Sequence, residues 1–141
     1  MNIKTQVIES FKKEFQFLID KFEIMDILEN GTPLDYKAIK MLKLPSADYN
    51  VIYHPGVYVF IGNNSVYRVG VSMRNSRVRV MEHIKVQTWG NNHSVIDIDK
   101  FSDKSILLFN VKNYSDSHWL LSLEVFLEET FKPLIKAKRK G

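Results

Sequence analysis

The chain has 141 residues, of which 45% are hydrophobic and 26% charged, a composition typical of globular domains. Cysteine is absent, which excludes disulfides, cysteine-ligated metal sites and cysteine nucleophiles. The formal net charge of +4 permits a polyanionic partner without identifying one. No apolar run is long enough for a membrane span, and the N-terminus lacks a signal-peptide pattern, so we expect a cytoplasmic protein with no membrane contact.

Residues 1–50 are predicted to form a helical extension. Apolar residues recur at three- and four-residue spacing from Ile3 to Phe22, which predicts one long amphipathic helix. A turn at Asn30 ends this helix, and Thr32 followed by proline is typical of the start of a second, short helix. The segment contains little that suggests chemistry. We expect it to dock a substrate or to join two copies of the chain as a homodimer.

Residues 51–141 are predicted to form the main domain. Two β-rich segments, Tyr58–Ile61 and Ser65–Val71, flank a Gly-Asn-Asn turn and predict a hairpin. Because strands and helices do not alternate regularly, we expect an α+β fold with a small antiparallel sheet of about three strands, flanked by helices. After the hairpin, a helix, a strand and a second helix are predicted over residues 75–85, 105–111 and 117–131.

Several charged side chains occupy helix positions at which burial or the helix macrodipole disfavours a charge. On the last predicted helix, Glu124 falls at the edge of the apolar stripe, where a carboxylate either reaches solvent or requires a cation. On the preceding helix, Arg79 and His83 are four residues apart and project from one flank. Arg74 and Arg77 join Arg79 near the start of that helix, where the macrodipole disfavours positive charge. These arginines form either a solvated basic face or a phosphate site.

The order of these features in residues 55–136 resembles the GIY-YIG nuclease domain. The first motif is Gly-Val-Tyr, which ends at Tyr58, and the second is Tyr-Arg-Val-Gly over residues 67–70. About 80 residues are covered, and the ordered set is more specific than any one motif. Three further elements follow in the family's order: Arg79, His83 four residues later, and Glu124 after a leucine-rich approach and before Lys-Pro.

The second motif is shifted by one residue relative to the family. If Val69 and Gly70 align with the family's Ile-Gly, Arg68 takes the tyrosine position and Tyr67 lies one residue early. Neighbouring residues of a strand face opposite sides, so we expect only one of the two to enter the site, and we favour Arg68. Lys136 stands where the family often has asparagine, twelve residues after the glutamate.

The resemblance implies a metal-dependent endonuclease that hydrolyses DNA phosphodiester bonds. In this scheme Glu124 holds Mg²⁺ or Mn²⁺, Tyr58 is the general base or positions water, and Arg79 neutralises charge on the phosphate. His83 orients water or moves a proton, and Arg68 helps to lower the pKa of the tyrosine. The residues expected to bind substrate are Tyr67, Arg74, Arg77 and Lys136. Two alternatives stay open: a nucleic-acid-binding module of the same fold with impaired catalysis, and an unrelated α+β interaction protein.

Overall fold

The computed structural model describes residues 1–41 and 49–137 and shows an α+β fold, as predicted. The α-helices in these residues are α1 (Ile3–Glu14), α2 (Tyr36–Lys40), α3 (Ser76–Lys85) and α4 (Leu120–Phe131). The strands are β1 (Phe22–Asp26), β2 (Gly56–Gly62), β3 (Ser65–Ser72), β4 (Trp89–Gly90), β5 (His93–Ser94) and β6 (Ser105–Val111). Short 3-10 helices cover Gln16–Lys21, Glu29–Gly31, Tyr49–Tyr53, Val95–Lys100 and Tyr114–Trp119.

The main sheet is antiparallel and has the strand order β1-β6-β2-β3, while β4 and β5 form a separate small hairpin. The predicted hairpin of β2 and β3 turns at Asn63 and Asn64, whose φ values of 51° and 52° suit a tight two-residue turn. The Asp103 carboxylate accepts hydrogen bonds from both backbone N–H groups of this turn, at 2.9 and 2.6 Å. Turn chemistry therefore fixes the register of the strands that carry both sequence motifs.

Each face of the sheet has its own apolar core, because successive residues of β2 and β6 point to opposite sides. Helix α3 covers one face, and α1 and α4 cover the other. The first core includes Tyr58, Phe60, Ile106, Leu108, Val80, Met81 and Ile84. The second core includes Val57, Val59, Leu107, Phe109, Val7, Phe11, Leu120, Leu123 and Leu127.

The N-terminal segment is not wholly helical, and this part of the prediction is wrong. Helix α1 ends at Glu14, and β1 adds a fourth strand by pairing with β6. Phe22 packs against Phe11, with ring centroids 5.2 Å apart. The two residues are connected by the end of α1 and a 3-10 helix rather than by one continuous helix. The apolar stripe of α1 is buried against the sheet of its own chain. A dimer through this helix therefore stays a prediction that the observed packing does not favour.

The second short helix also starts later than predicted. Asp35, rather than Thr32, caps α2, because its carboxylate accepts a 3.0 Å hydrogen bond from the Ala38 N–H.

The predicted break over residues 44–46 lies outside the described residues. The predicted helix over 117–131 divides into a 3-10 helix and α4, whose C-cap residue Lys132 has the left-handed conformation. No helix in residues 1–41 and 49–137 is long and apolar enough to cross a membrane.

Candidate active site

Tyr58 lies in β2 on the face that α3 covers, and it is 2% exposed. The residue opposite it in β3 is Gly70. A Cβ at Gly70 would lie 2.3 Å from both Cζ and Oη of Tyr58. The tyrosine ring therefore rests directly on the backbone of β3, and only glycine leaves room for it there.

His83 reaches Tyr58 from the inner flank of α3. Its Nε2 lies 2.7 Å from the Tyr58 Oη, and its Nδ1 lies 2.5 Å from the Thr88 Oγ1. The Thr88 N–H also donates to the His83 carbonyl at 3.0 Å, which fixes the turn after the helix. The three side chains form a chain of hydrogen bonds with the histidine at its centre, buried at Tyr58 and His83 and partly exposed at Thr88.

Two arginines complete the surroundings of the Tyr58 hydroxyl. Burial raises the pKa of Tyr58 above its ordinary value near 10, although charge and hydrogen bonding from Arg68 and Arg79 oppose this rise. Burial and the same two charges lower the pKa of His83 to about 3, so its imidazole is neutral at physiological pH. The arginines act on Tyr58 in the direction expected from the sequence, but burial outweighs them.

These charges also select one histidine tautomer. A guanidinium can only donate hydrogen bonds, so Arg68 and Arg79 donate to the lone pairs of the Tyr58 oxygen. The proton of the Tyr58 hydroxyl is then directed towards His83 Nε2. A neutral imidazole that accepts at Nε2 carries its proton on Nδ1, which then donates to Thr88 Oγ1. The arrangement leaves a base in direct contact with the phenol proton.

Acidification is expected to weaken the fold through His83. Its folded pKa of about 3 lies below the unfolded value of 6.5, so between these values only the unfolded chain binds the proton. The free energy of unfolding should fall by about 2 kcal/mol between pH 7 and pH 5 from this group. Urea denaturation of wild type and His83→Gln at both pH values measures the effect. An equal pH dependence in the two proteins would contradict it, and exposed His118→Gln is the control.

The start of α3, which positions Arg79 and His83, is anchored to the sheet by buried polar contacts. Ser76 Oγ donates to Asn110 Oδ1 at 2.5 Å, and Asn110 Nδ2 donates to the Val51 carbonyl at 2.8 Å. Both Ser76 and Asn110 are buried. Buried hydrogen bonds of this kind fix geometry, because breaking one leaves an unsatisfied polar group.

Glu124, which the helical pattern placed at the edge of the apolar stripe, is buried, at 4% exposed. Its helix, α4, packs on the face of the sheet opposite to α3. The meeting of Glu124 with Tyr58 that the resemblance implies is therefore not supported by the packing. The described residues contain no group of three or more His, Cys, Asp or Glu side chains that could hold a metal ion. A single carboxylate still has suitable donor chemistry, since Mg²⁺ often binds one carboxylate together with waters and substrate phosphate.

Two predicted substrate-binding residues have structural positions instead. Arg77 is 6% exposed, donates from Nη1 to the Lys40 carbonyl at 3.1 Å and stacks on the Tyr53 ring. Tyr67 is buried and its ring packs edge-on against His93, with centroids 5.8 Å apart. Substrate binding by these two side chains stays a prediction that the packing does not favour, because their polar or aromatic surface is used within the fold.

A β-bulge explains the shifted second motif. Phe60 pairs with Arg68 but Ile61 pairs with Val66, so Tyr67 is the extra residue between them. The expected alternation of faces fails at this point. Arg68 acts on the Tyr58 hydroxyl, as favoured from the sequence, although its Nε is buried without a hydrogen-bond partner.

The remaining candidates lie on the surface. Arg74 is exposed just before α3. Lys136 is exposed and lines a groove of about 520 Å³ together with Lys132, Glu128 and Glu129, so two carboxylates balance the two lysines there. Thr88 was missed by sequence analysis, and the only available signal was a hydroxyl residue just after the helix that carries His83.

Comparison with known proteins gives no assignment. No protein-family model, no curated protein and no solved structure matches the chain.

Proposed function

We propose that the protein is an endonuclease of the GIY-YIG type that hydrolyses DNA phosphodiester bonds. The observation that carries the proposal is the Tyr58 hydroxyl, which lies between a neutral imidazole and two guanidinium groups. These are the groups that a phosphodiester hydrolysis requires: a proton acceptor, a hydroxyl to position water, and cations for the phosphate.

In the proposed reaction, the scissile phosphate binds Arg68 and Arg79. Burial and the two arginine charges lower the pKa of His83, and the phosphate charge offsets the arginine contribution, so the imidazole becomes a better base. His83 Nε2 takes the proton of Tyr58 as the phenol oxygen takes a proton from water. The water oxygen then attacks phosphorus, and the leaving oxygen departs with the electron pair of the broken P–O bond and takes a proton from solvent. Arg79 stabilises the charge that develops on the non-bridging oxygens.

A divalent cation, Mg²⁺ or Mn²⁺, is part of the proposal through Glu124. When bound, such an ion would polarise the phosphate and stabilise the leaving oxygen. The burial of Glu124 and the packing of α4 make this the component that most requires an independent test.

Nicking of supercoiled plasmid in the presence of Mg²⁺ or Mn²⁺ tests the proposal. Arg79→Ala is expected to lower nicking by about 100-fold or more, because a preorganised charge at the transition state is removed. The matched control is Lys12→Ala, which removes an exposed cation from α1 on the other side of the sheet. Undiminished nicking by Arg79→Ala would overturn the assignment. Undiminished nicking by Glu124→Gln, or in excess EDTA, would remove only the metal component.

A binding module of the same fold without catalysis is the second candidate. It is favoured by the deep burial of Tyr58 and by the packing of α4, the helix that carries Glu124, on the face of the sheet opposite to α3. This function predicts salt-sensitive DNA binding with no nicking under any metal condition. The nicking experiment with a parallel binding measurement therefore separates the two candidates.

A further inference from the structure

The outer side of α2 and α3 carries two partly exposed tyrosine rings, each with a cation against it. Tyr36 is 42% exposed, with the Nζ atoms of Lys40 and Lys85 at 6.0 and 5.7 Å from its ring centroid. Tyr53 is 40% exposed, and the Arg77 guanidinium lies 4.7 Å from its ring centroid. We name as the tyrosine–lysine face the residues Tyr36, Lys37, Lys40, Tyr53 and Lys85.

Arg77 joins the two rings into one surface. Its guanidinium stacks on Tyr53, while its Nη1 donates to the carbonyl of Lys40, which lies beside Tyr36. This buried arginine therefore supports the face from beneath, although it is not itself available to a ligand. The contacts hold two aromatic rings and two exposed lysines, Lys40 and Lys85, on one side of the molecule, and the exposed Lys37 lies on the same short helix as Lys40.

The face is cationic because Lys37, Lys40 and Lys85 outnumber the acidic residues of this region, Asp35 and Glu82, which are bound to other groups. The Asp35 carboxylate caps α2 through the Ala38 N–H. Glu82 accepts a 2.8 Å hydrogen bond from Arg79 on the other flank of α3. Lys37, Lys40 and Lys85 are left to set the sign of the local potential, which favours an anionic partner.

The tyrosine–lysine face and the candidate active site lie on opposite sides of α3, so the distance between them is about the width of one helix. At about 100° per residue, Lys85 and His83 point to opposite sides of the helix. A helix with its side chains is about 10–12 Å across. An extended polyanion that crosses α3 can therefore contact the lysines at one flank and Arg79 at the other.

We infer that the tyrosine–lysine face binds an unpaired nucleic-acid strand and leads it to Tyr58. The binding follows from the face alone, and only the destination rests on the proposed function. Exposed aromatic rings stack on unpaired bases while neighbouring cations hold the phosphates. In a duplex the bases already stack on one another, so partly exposed tyrosines favour the single strand. This inference assigns the docking role predicted for residues 1–50 to α2.

Fluorescence anisotropy with a labelled single-stranded DNA of about 12 nucleotides, in EDTA so that no cleavage occurs, tests the inference on the full chain. Tyr36→Ala is expected to weaken binding about tenfold or more, whereas Tyr36→Phe keeps the ring and binds within about twofold of wild type. The double variant Lys40→Ala/Lys85→Ala should reduce the slope of log affinity against log salt by about 1.4. The matched control Lys12→Ala/Lys13→Ala, on α1, should leave the slope unchanged.

Each outcome decides the inference. It fails if Tyr36→Ala binds as wild type does, if both lysine double variants change the salt slope equally, or if a matched duplex binds as tightly as the single strand. Circular dichroism of each variant checks that the fold is retained. Plasmid nicking by a protein whose Tyr36→Ala variant binds normally would keep the proposed function and reject this face. Tyr36-dependent binding without nicking would keep this face and reject the proposed function.

Discussion

Replacement of Tyr58 by phenylalanine is expected to lower plasmid nicking by about 100-fold or more while DNA binding stays close to wild type. The variant keeps the ring on Gly70 but removes the hydroxyl between His83 and the two arginines. Loss of a positioned proton-transfer group typically costs 10²- to 10⁴-fold in rate. The free energy of unfolding should also fall by about 1–3 kcal/mol, because His83 Nε2 loses its partner. Nicking rates and urea denaturation measure the two effects.

Tyr67→Phe is the matched control for this loss. Tyr67 is also buried on the face that α3 covers, but its ring packs on His93. The control should therefore nick at the wild-type rate. If Tyr58→Phe and Tyr67→Phe nick equally well, the proposed role of the Tyr58 hydroxyl is excluded, and a structural hydrogen bond to His83 is sufficient to explain its position.

Local chemistry made the hairpin, α3 and β6 predictable from the sequence. The Asn63-Asn64 turn specifies the register of β2 and β3 without help from the rest of the chain. In each case the residues that determine the feature are close together in sequence.

Contacts between distant residues account for what the sequence did not reveal. Strand β1 forms because it pairs with β6, more than 80 residues later in the chain, and Phe22 and Met25 are then buried in the two cores. Arg77 was interpreted as a phosphate ligand, since nothing in the sequence showed that Tyr53 and the Lys40 carbonyl would meet its guanidinium. The bulge at Tyr67 depends on the pairing of a neighbouring strand. The pKa of Tyr58 likewise depends mainly on burial, which the spacing of residues in the sequence does not reveal.

Gly70→Ala is expected to damage the fold and the site together, with a loss of about 1–3 kcal/mol in the free energy of unfolding and no measurable nicking. The added methyl would lie 2.3 Å from Cζ and Oη of Tyr58, so the ring must leave its position on β3. Gly90→Ala is the control, because its added Cβ would approach only Ile135, with Cγ2 at 3.0 Å and Cα and Cβ at 3.7 and 3.8 Å. Thermal and urea denaturation compare the two variants.

A double-mutant cycle tests the cause of the Gly70→Ala loss. Leucine at position 58 lacks the ring atoms that the new methyl would strike, so Gly70→Ala should cost less in a Tyr58→Leu background than in wild type. Equal costs in the two backgrounds would show that the damage arises in the backbone of β3 rather than at the ring. A reduced cost would establish that Gly70 is required because Tyr58 lies directly on it, where the hydroxyl can meet His83, Arg68 and Arg79.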